Sequence, residues 1–280
     1  MTLSDAAERT LKDGDPLAAL ARLQEDVRAR PADAKLRVFL FQLLCVVGQW
    51  DRALNQLKVA SELDPLALPM AQMYGEAVRC EVIRDEVFEG KKSPMVLGEP
   101  DQWLALLIES RLLVGRGEAS HSEELRLRAF EEAPASSGSL NGQPFEWVAD
   151  ADSRLGPVME AIINGRYYWV PFARLSEVTT EAPEDLRDLV WMPAHLHFEN
   201  GGESLALIPS RYPGSQNAED GGLALSRKTA WEAIADEAYR GLGQRIIATD
   251  AGETPFLEIR ALTIKQDGDP APDRSGADDA

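Results

Sequence analysis

The sequence predicts an α+β chain of two domains: an all-α array of helical repeats first, then a β-rich domain with mainly antiparallel strands and short helices. Three observations carry that expectation. A repeat of 34 residues is visible near the start, a Pro/Gly/Ser/Asn run interrupts the chain at 133–144, and short β-branched and aromatic runs follow it. The boundaries expected are a helical domain at 1–132, a linker at 133–144, a β-rich domain at 145–265 and a disordered acidic tail at 266–280. With 280 residues and 44% hydrophobic content, each half is large enough to bury its own core.

The repeat emerges on aligning Gly14–Pro31 with Gly48–Pro65. Both ends match, as do Ala19/Ala53, Leu20/Leu54 and Leu23/Leu57. A period of 34 is that of tetratricopeptide helical hairpins, and each block has the pattern of a second helix. Gly14 and Gly48 allow a sharp turn between antiparallel helices. Ala19 and Ala53 let two helix backbones approach closely, and Pro31 and Pro65 end the helices by removing an amide donor. The apolar run 36–47 supplies the first helix of the second repeat. Later helices are expected at 66–88, 102–114 and 118–132, where they cap the array.

Beyond 144 the apolar runs shorten. Strands are expected at 167–172, 189–192, 196–198, 204–208, 245–249 and 256–264, with most connections too short for helical crossovers, so the pairing should be mainly antiparallel. A short helix is expected at 156–164 and a second helical stretch at 226–239.

Twenty-nine basic residues against 47 acidic ones leave a net charge of −18. Such a surface repels phosphate backbones and anionic lipid, so neither nucleic acid nor membrane is an expected partner. The longest apolar stretch, 38–48, is too short to span a bilayer, and no basic segment precedes an apolar run at the start. Cys45 and Cys80 fall within helical patterns among apolar neighbours, as buried thiols in a reducing compartment do. Together these point to the cytoplasm.

Chemistry-bearing patterns are few. His195-x-His197-x-Glu199 would project from one face of a strand, the spacing a metal needs, but structural histidines are the simpler reading. Asp150-Ala-Asp152 could be a carboxylate pair for a cation or for acid–base work. A turn with Arg154 as salt partner is simpler again. Glycine-rich phosphate loops and nucleophile elbows are not found. No catalytic residue, metal or cofactor is therefore expected. A metal-binding or hydrolase-like enzyme in the second half, or a generic repeat scaffold, stands as the alternative. The aromatic and arginine clusters around Tyr167, Trp169, Arg211 and Tyr212 suit either an interface centre or a core.

Several uncommon blocks occur in order. They are Phe39-Leu-Phe-Gln-Leu-Leu44, Gly48-Gln-Trp-Asp-Arg-Ala53, Arg84-Asp-Glu-Val-Phe-Glu-Gly90 and Trp147-Val-Ala-Asp-Ala-Asp152, followed by Asn164-Gly-Arg-Tyr-Tyr-Trp-Val-Pro171 and Pro209-Ser-Arg-Tyr-Pro213. Over about residues 10–262 the chain resembles the ImpE/SciE (TagJ) family of type VI secretion accessory proteins. The resemblance implies a non-enzymatic cytoplasmic adaptor that binds an N-terminal helix of the small contractile-sheath subunit, linked to sheath assembly or to the AAA+ ATPase that recycles sheath. It does not say which residues touch that helix. If the concave face of the repeat array is used, Leu36, Phe39, Leu43, Met70 and Met73 are the expected lining, with Tyr167, Trp169, Arg211 and Tyr212 as a second surface.

Overall fold

The computed structural model describes residues 4–266. The acidic tail expected from 266 lies, after its first residue, outside them. Seven helices come first: α1 (Ser4–Lys12), α2 (Pro16–Ala29), α3 (Ala34–Val46), α4 (Trp50–Leu63), α5 (Leu68–Phe88), α6 (Gln102–Gly115) and α7 (Ala119–Glu132). They match the helices expected from the repeat and the later apolar periodicity. Asp15 caps α2 by accepting from the Ala18 amide at 2.8 Å, with Pro16 at the first helical position where it needs no partner. Asp33 caps α3 in the same way through the Leu36 amide. Gly14 and Gly48 take positive φ at the turns of the two hairpins, and Ala19 and Ala53 are fully buried where the helices meet.

Thirteen strands follow in the described residues. They are β1 (Gly138–Leu140), β2 (Gln143–Phe145), β3 (Val148–Asp150), β4 (Val158–Ile163), β5 (Arg166–Pro171), β6 (Leu175–Thr180), β7 (Trp191–Phe198), β8 (Glu203–Pro209), β9 (Thr229–Ala235), β10 (Ala238–Gly243), β11 (Ile246–Thr249), β12 (Gly252–Pro255) and β13 (Ala261–Ile264). One short helix, α8 (Gly221–Ala224), interrupts them. An eight-stranded sheet runs β2-β1-β13-β6-β7-β8-β4-β5, beside a three-stranded sheet β12-β11-β3 and a hairpin of β9 and β10. All ladders between these strands are antiparallel, as the short connections require.

Four local expectations are corrected. Residues 138–144, expected within a linker, form the β1–β2 hairpin together with Phe145. Asn141 and Gly142 both take positive φ between the paired Leu140 and Gln143, as a tight two-residue turn demands. The helix expected over 156–164 is β4, whose six residues are all buried. The helical stretch expected over 226–239 is instead most of the β9–β10 hairpin. The two strands expected at 189–192 and 196–198 merge into β7, with a single turn of 3-10 helix at Leu186–Leu189 ahead of it.

The two halves share a core. Val158 and Ile162 of β4, Tyr167 and Trp169 of β5, and Trp191 of β7 pack into one apolar cluster with Leu23, Phe41, Leu43, Val78 and Leu104 of the helices. Met159, Ala161 and Ile163 point the other way, into a second cluster with Val178, Leu196, Ile247 and Phe256. The large sheet is thus covered by helices on one face and by its own curl and the small sheet on the other.

Candidate functional site

Where helices and sheet meet, the apolar core gives way to a buried polar seam. Glu81 and Arg84 lie one turn apart on α5, so both side chains project from one helix face. Arg84 binds Glu160 of β4 through two parallel hydrogen bonds, Nε to Oε1 at 2.6 Å and Nη2 to Oε2 at 2.9 Å. Glu160 can receive them because it sits between Val158 and Ile162 on the helix-facing side of β4. It also accepts from Tyr167 Oη at 2.5 Å and from Arg245, whose other nitrogen reaches Asp150 at the end of β3. Tyr212 Oη donates to Asp150 at 3.0 Å, and Trp191 Nε1 donates to Glu81 at 2.7 Å. Asp152 holds Arg154 through paired bonds of 2.9 and 2.6 Å. The expected Asp152–Arg154 salt pair is therefore present, in a turn between two strands and not ahead of a helix.

Electrostatics explains why these groups stay charged. Burial alone would raise Glu160, but Arg84 and Arg245 outweigh it and hold its carboxyl at about 2. Asp150 goes the other way: burial raises it to about 6 despite the adjacent Arg245. Removing one partner of such a pair strands a buried charge, at a cost of about 3–5 kcal/mol. Arg211 forms a second clasp. Its guanidinium donates to the carbonyls of Val46 and Cys45, the last of α3, at 2.7 and 2.8 Å, and to the carbonyl of Ala224 at 2.6 Å. A cation at a helix C-terminus satisfies carbonyls that lack intrahelical donors and complements the helix dipole.

A cleft of about 650 Å³ opens at the surface between α5 and the sheet. One wall is α5 with Met73 and Tyr74, the other is the segment 179–188, and β7 and β8 supply the floor through Met192, Ala194 and Ala206. Arg187 lies over the Tyr74 ring at 4.8 Å. Asp188 is buried and accepts from the amides of Glu184 and Asp185, which fixes the curve of that wall. Outside the cleft, Leu66 is 88% exposed just ahead of α5.

The family-model comparison matches residues 142–263 to the ImpE protein. The type VI secretion system accessory component TagJ of Pseudomonas aeruginosa is 49% identical over 92% of this chain and 91% of its own length. The chain belongs to the ImpE family. A crystal structure of protein VPA1032 from Vibrio parahaemolyticus has the same fold, with a TM-score of 0.85 at 28% identity, covering 93% of this chain and 98% of that one.

The ImpE match takes in Asp150, Glu160, Arg211 and Arg245, whereas Glu81, Arg84 and the α5 wall of the cleft lie in the helical half before it. Of the nine side chains expected to contact a partner, six have no surface to offer in this conformation. Leu36 and Leu43 are core residues of α3, and Tyr167, Trp169, Arg211 and Tyr212 are buried in the seam. Phe39 and Met70 are half-buried, and Met73 is 42% exposed at the cleft wall. The reading missed Tyr74, Met192 and Leu205, which the topology alone brings to the cleft. His195 and His197 do share a face of β7, His195 at the cleft; among the described residues no group of three His, Cys, Asp or Glu stands together as a metal cage. No helix described is long and apolar enough to cross a membrane.

Proposed function

We propose that this protein is a non-catalytic, cytoplasmic adaptor of a type VI secretion system that binds an N-terminal helix of the small contractile-sheath subunit, in a step linked to sheath assembly or ATPase-driven recycling. The observation that carries this reading is its 49% identity, over nearly its whole length, to a type VI secretion accessory component. The polar side chains that could have suggested catalysis, Asp150 and Asp152, are instead committed to arginine partners within the seam. Helix-in-groove recognition needs exposed apolar surface to receive the anchors of the incoming helix, and Met73 on α5, 42% exposed, with half-buried Met70 one turn before it, offers some.

Calorimetric titration of the full-length protein with a synthetic peptide of that sheath helix tests the proposal. Binding near micromolar, about −8 kcal/mol, is the expected result for one short helix that orders as it binds. If no peptide from either sheath subunit produces heat, the proposal fails.

A further inference from the structure

Helices α4 and α5 pack side by side, and a groove of about 470 Å³ runs along their joint surface. Its lining is apolar towards the turn that joins them: Leu54 and Ala71 are half-buried and Leu68 is 48% exposed. Leu63 and Leu66, at that turn, are exposed as well. Helices α6 and α7 pack on each other, and neither lines the groove. Met73 lies outside it, in the cleft. The last helices of a repeat array need a polar outer face to stay soluble, and here leucines stand in that place.

Gly75 lies in the groove, in the interior of α5, where glycine is unfavourable relative to alanine. Nothing within the chain calls for it: a Cβ there would meet only the Leu54 side chain, at an ordinary 3.9 Å. A bare backbone at that point leaves room for a side chain from outside. The charges around it are unmet too. Lys58 and Glu62 are one turn apart on α4, and Glu76 and Arg79 one turn apart on α5, yet none of the four forms an ion pair among the described residues. The Leu54 contact sets Gly75 level with Leu54 along the groove. Counted from there at the helical rise, Glu62 and Lys58 stand about 12 and 6 Å towards the turn, and Glu76 and Arg79 about 1.5 and 6 Å away from it. The midpoint of Lys58 and Glu76 and the midpoint of Glu62 and Arg79 therefore coincide to within about one residue. A half-turn about a single axis brings both pairs level. A chain of net charge −18 repels its own copy over most of its surface, whereas here two cations balance two anions.

We propose that two copies of this chain associate through their α4–α5 grooves about a twofold axis near Gly75. The leucines of each copy cover those of the other, Lys58 of each faces Glu76 of the other, and Arg79 faces Glu62. An isologous contact of this kind makes every ion pair twice. The proposal goes beyond the adaptor reading and does not depend on it.

Analytical ultracentrifugation of the full-length protein across the micromolar range is the test. The parent should sediment at the mass of two chains as concentration rises. Leu68→Asp, at an exposed position that folding tolerates, should weaken association by about tenfold or more. Gly75→Ala should weaken it too, while its melting midpoint in dilute solution stays at or above the parent's. Lys58→Glu with Arg79→Glu leaves only acids at the four charged positions, and Glu62→Lys with Glu76→Lys leaves only bases. Each of these double variants should be a single chain by itself, and an equimolar mixture of the two should form a heterodimer. Circular dichroism confirms that the variants are folded. A parent that stays a single chain at every concentration would overturn the proposal. So would a dimer that Leu68→Asp leaves intact, because the contact would then lie elsewhere. A mixture of the two charge variants that fails to join, beside a parent that dimerises, would overturn the twofold pairing. Titration with the sheath peptide judges the adaptor reading separately, and none of these outcomes bears on it.

Discussion

Glu160 is fully buried, and four hydrogen bonds from Arg84, Arg245 and Tyr167 stand in for its hydration. Those bonds make its ionised form part of the native state, with a direct consequence for pH. Its carboxyl titrates near 2 in the fold against an ordinary 4.5, so its stabilisation is present above pH 4.5 and is lost as pH falls through about 2. Asp150 has the opposite sign. Raised from 3.8 to about 6, it contributes most below pH 3.8, and that contribution is lost as pH rises through about 6. The midpoint of thermal unfolding should therefore climb as pH drops from 7 towards 5, then fall steeply below 4. Melting curves followed by circular dichroism across that range are the measurement. A midpoint that only falls from neutrality downward would show that Asp150 stays ionised beside Arg245.

Among the elements, the end of α6 comes close to the backbone just beyond α5. A Cβ on Gly115 would stand 2.3 Å from the carbonyl oxygen of Gly90, and nothing but a backbone shift could relieve it. Gly115 lies within helix α6, where alanine is intrinsically better by about 1 kcal/mol, so any loss must come from the contact. Gly115→Ala is expected to cost about 1–3 kcal/mol, read as a lower urea midpoint with an unchanged slope. An alanine variant as stable as the parent would mean that the two helix ends are not held together. The helices were legible because the repeat announces itself twice and because the apolar run of α3 is too long for a strand. The strands were less so, for reasons of environment. β4 is buried on both faces, so it lacks the alternation that marks a half-exposed strand. The 229–243 hairpin, largely exposed, is rich in alanine and glutamate and turns at Asp236–Glu237 without a glycine, so its composition imitates a helix. Asn141-Gly142 was a hairpin signal in plain view, concealed by the Pro, Gly and Ser around it.

At the scale of the molecule, the shared core ties the fate of one half to the other. Trp191 packs against Tyr74 and Trp50 with ring centroids 6.2 and 5.9 Å apart, across the seam. Calorimetry should accordingly show one unfolding transition whose van't Hoff and calorimetric enthalpies agree. Cleavage within 133–144, where an exposed linker would be cut first, should be slow because β1 is paired with both β2 and β13. Two resolved transitions, or rapid cutting there into two stable fragments, would show that the halves fold separately. The seam itself could not be read from the chain. Arg84 and Glu160 are 76 positions apart, and Glu160 and Arg245 are 85. A lone arginine or glutamate carries no local pattern, so only the fold reveals that each is the other's counterion.

The clasp of Arg211 on the end of α3 also orders events in time. The carbonyls of Cys45 and Val46 wait for a donor 166 and 165 residues further along. At the usual pace of synthesis, about 5–20 residues per second, that is a delay of roughly ten to thirty seconds. Throughout it the emerging chain holds helices whose last turn and apolar faces are still open to the solvent. A growing polypeptide of this kind cannot close the end of α3 with the Arg211 guanidinium until its second half has left the exit tunnel.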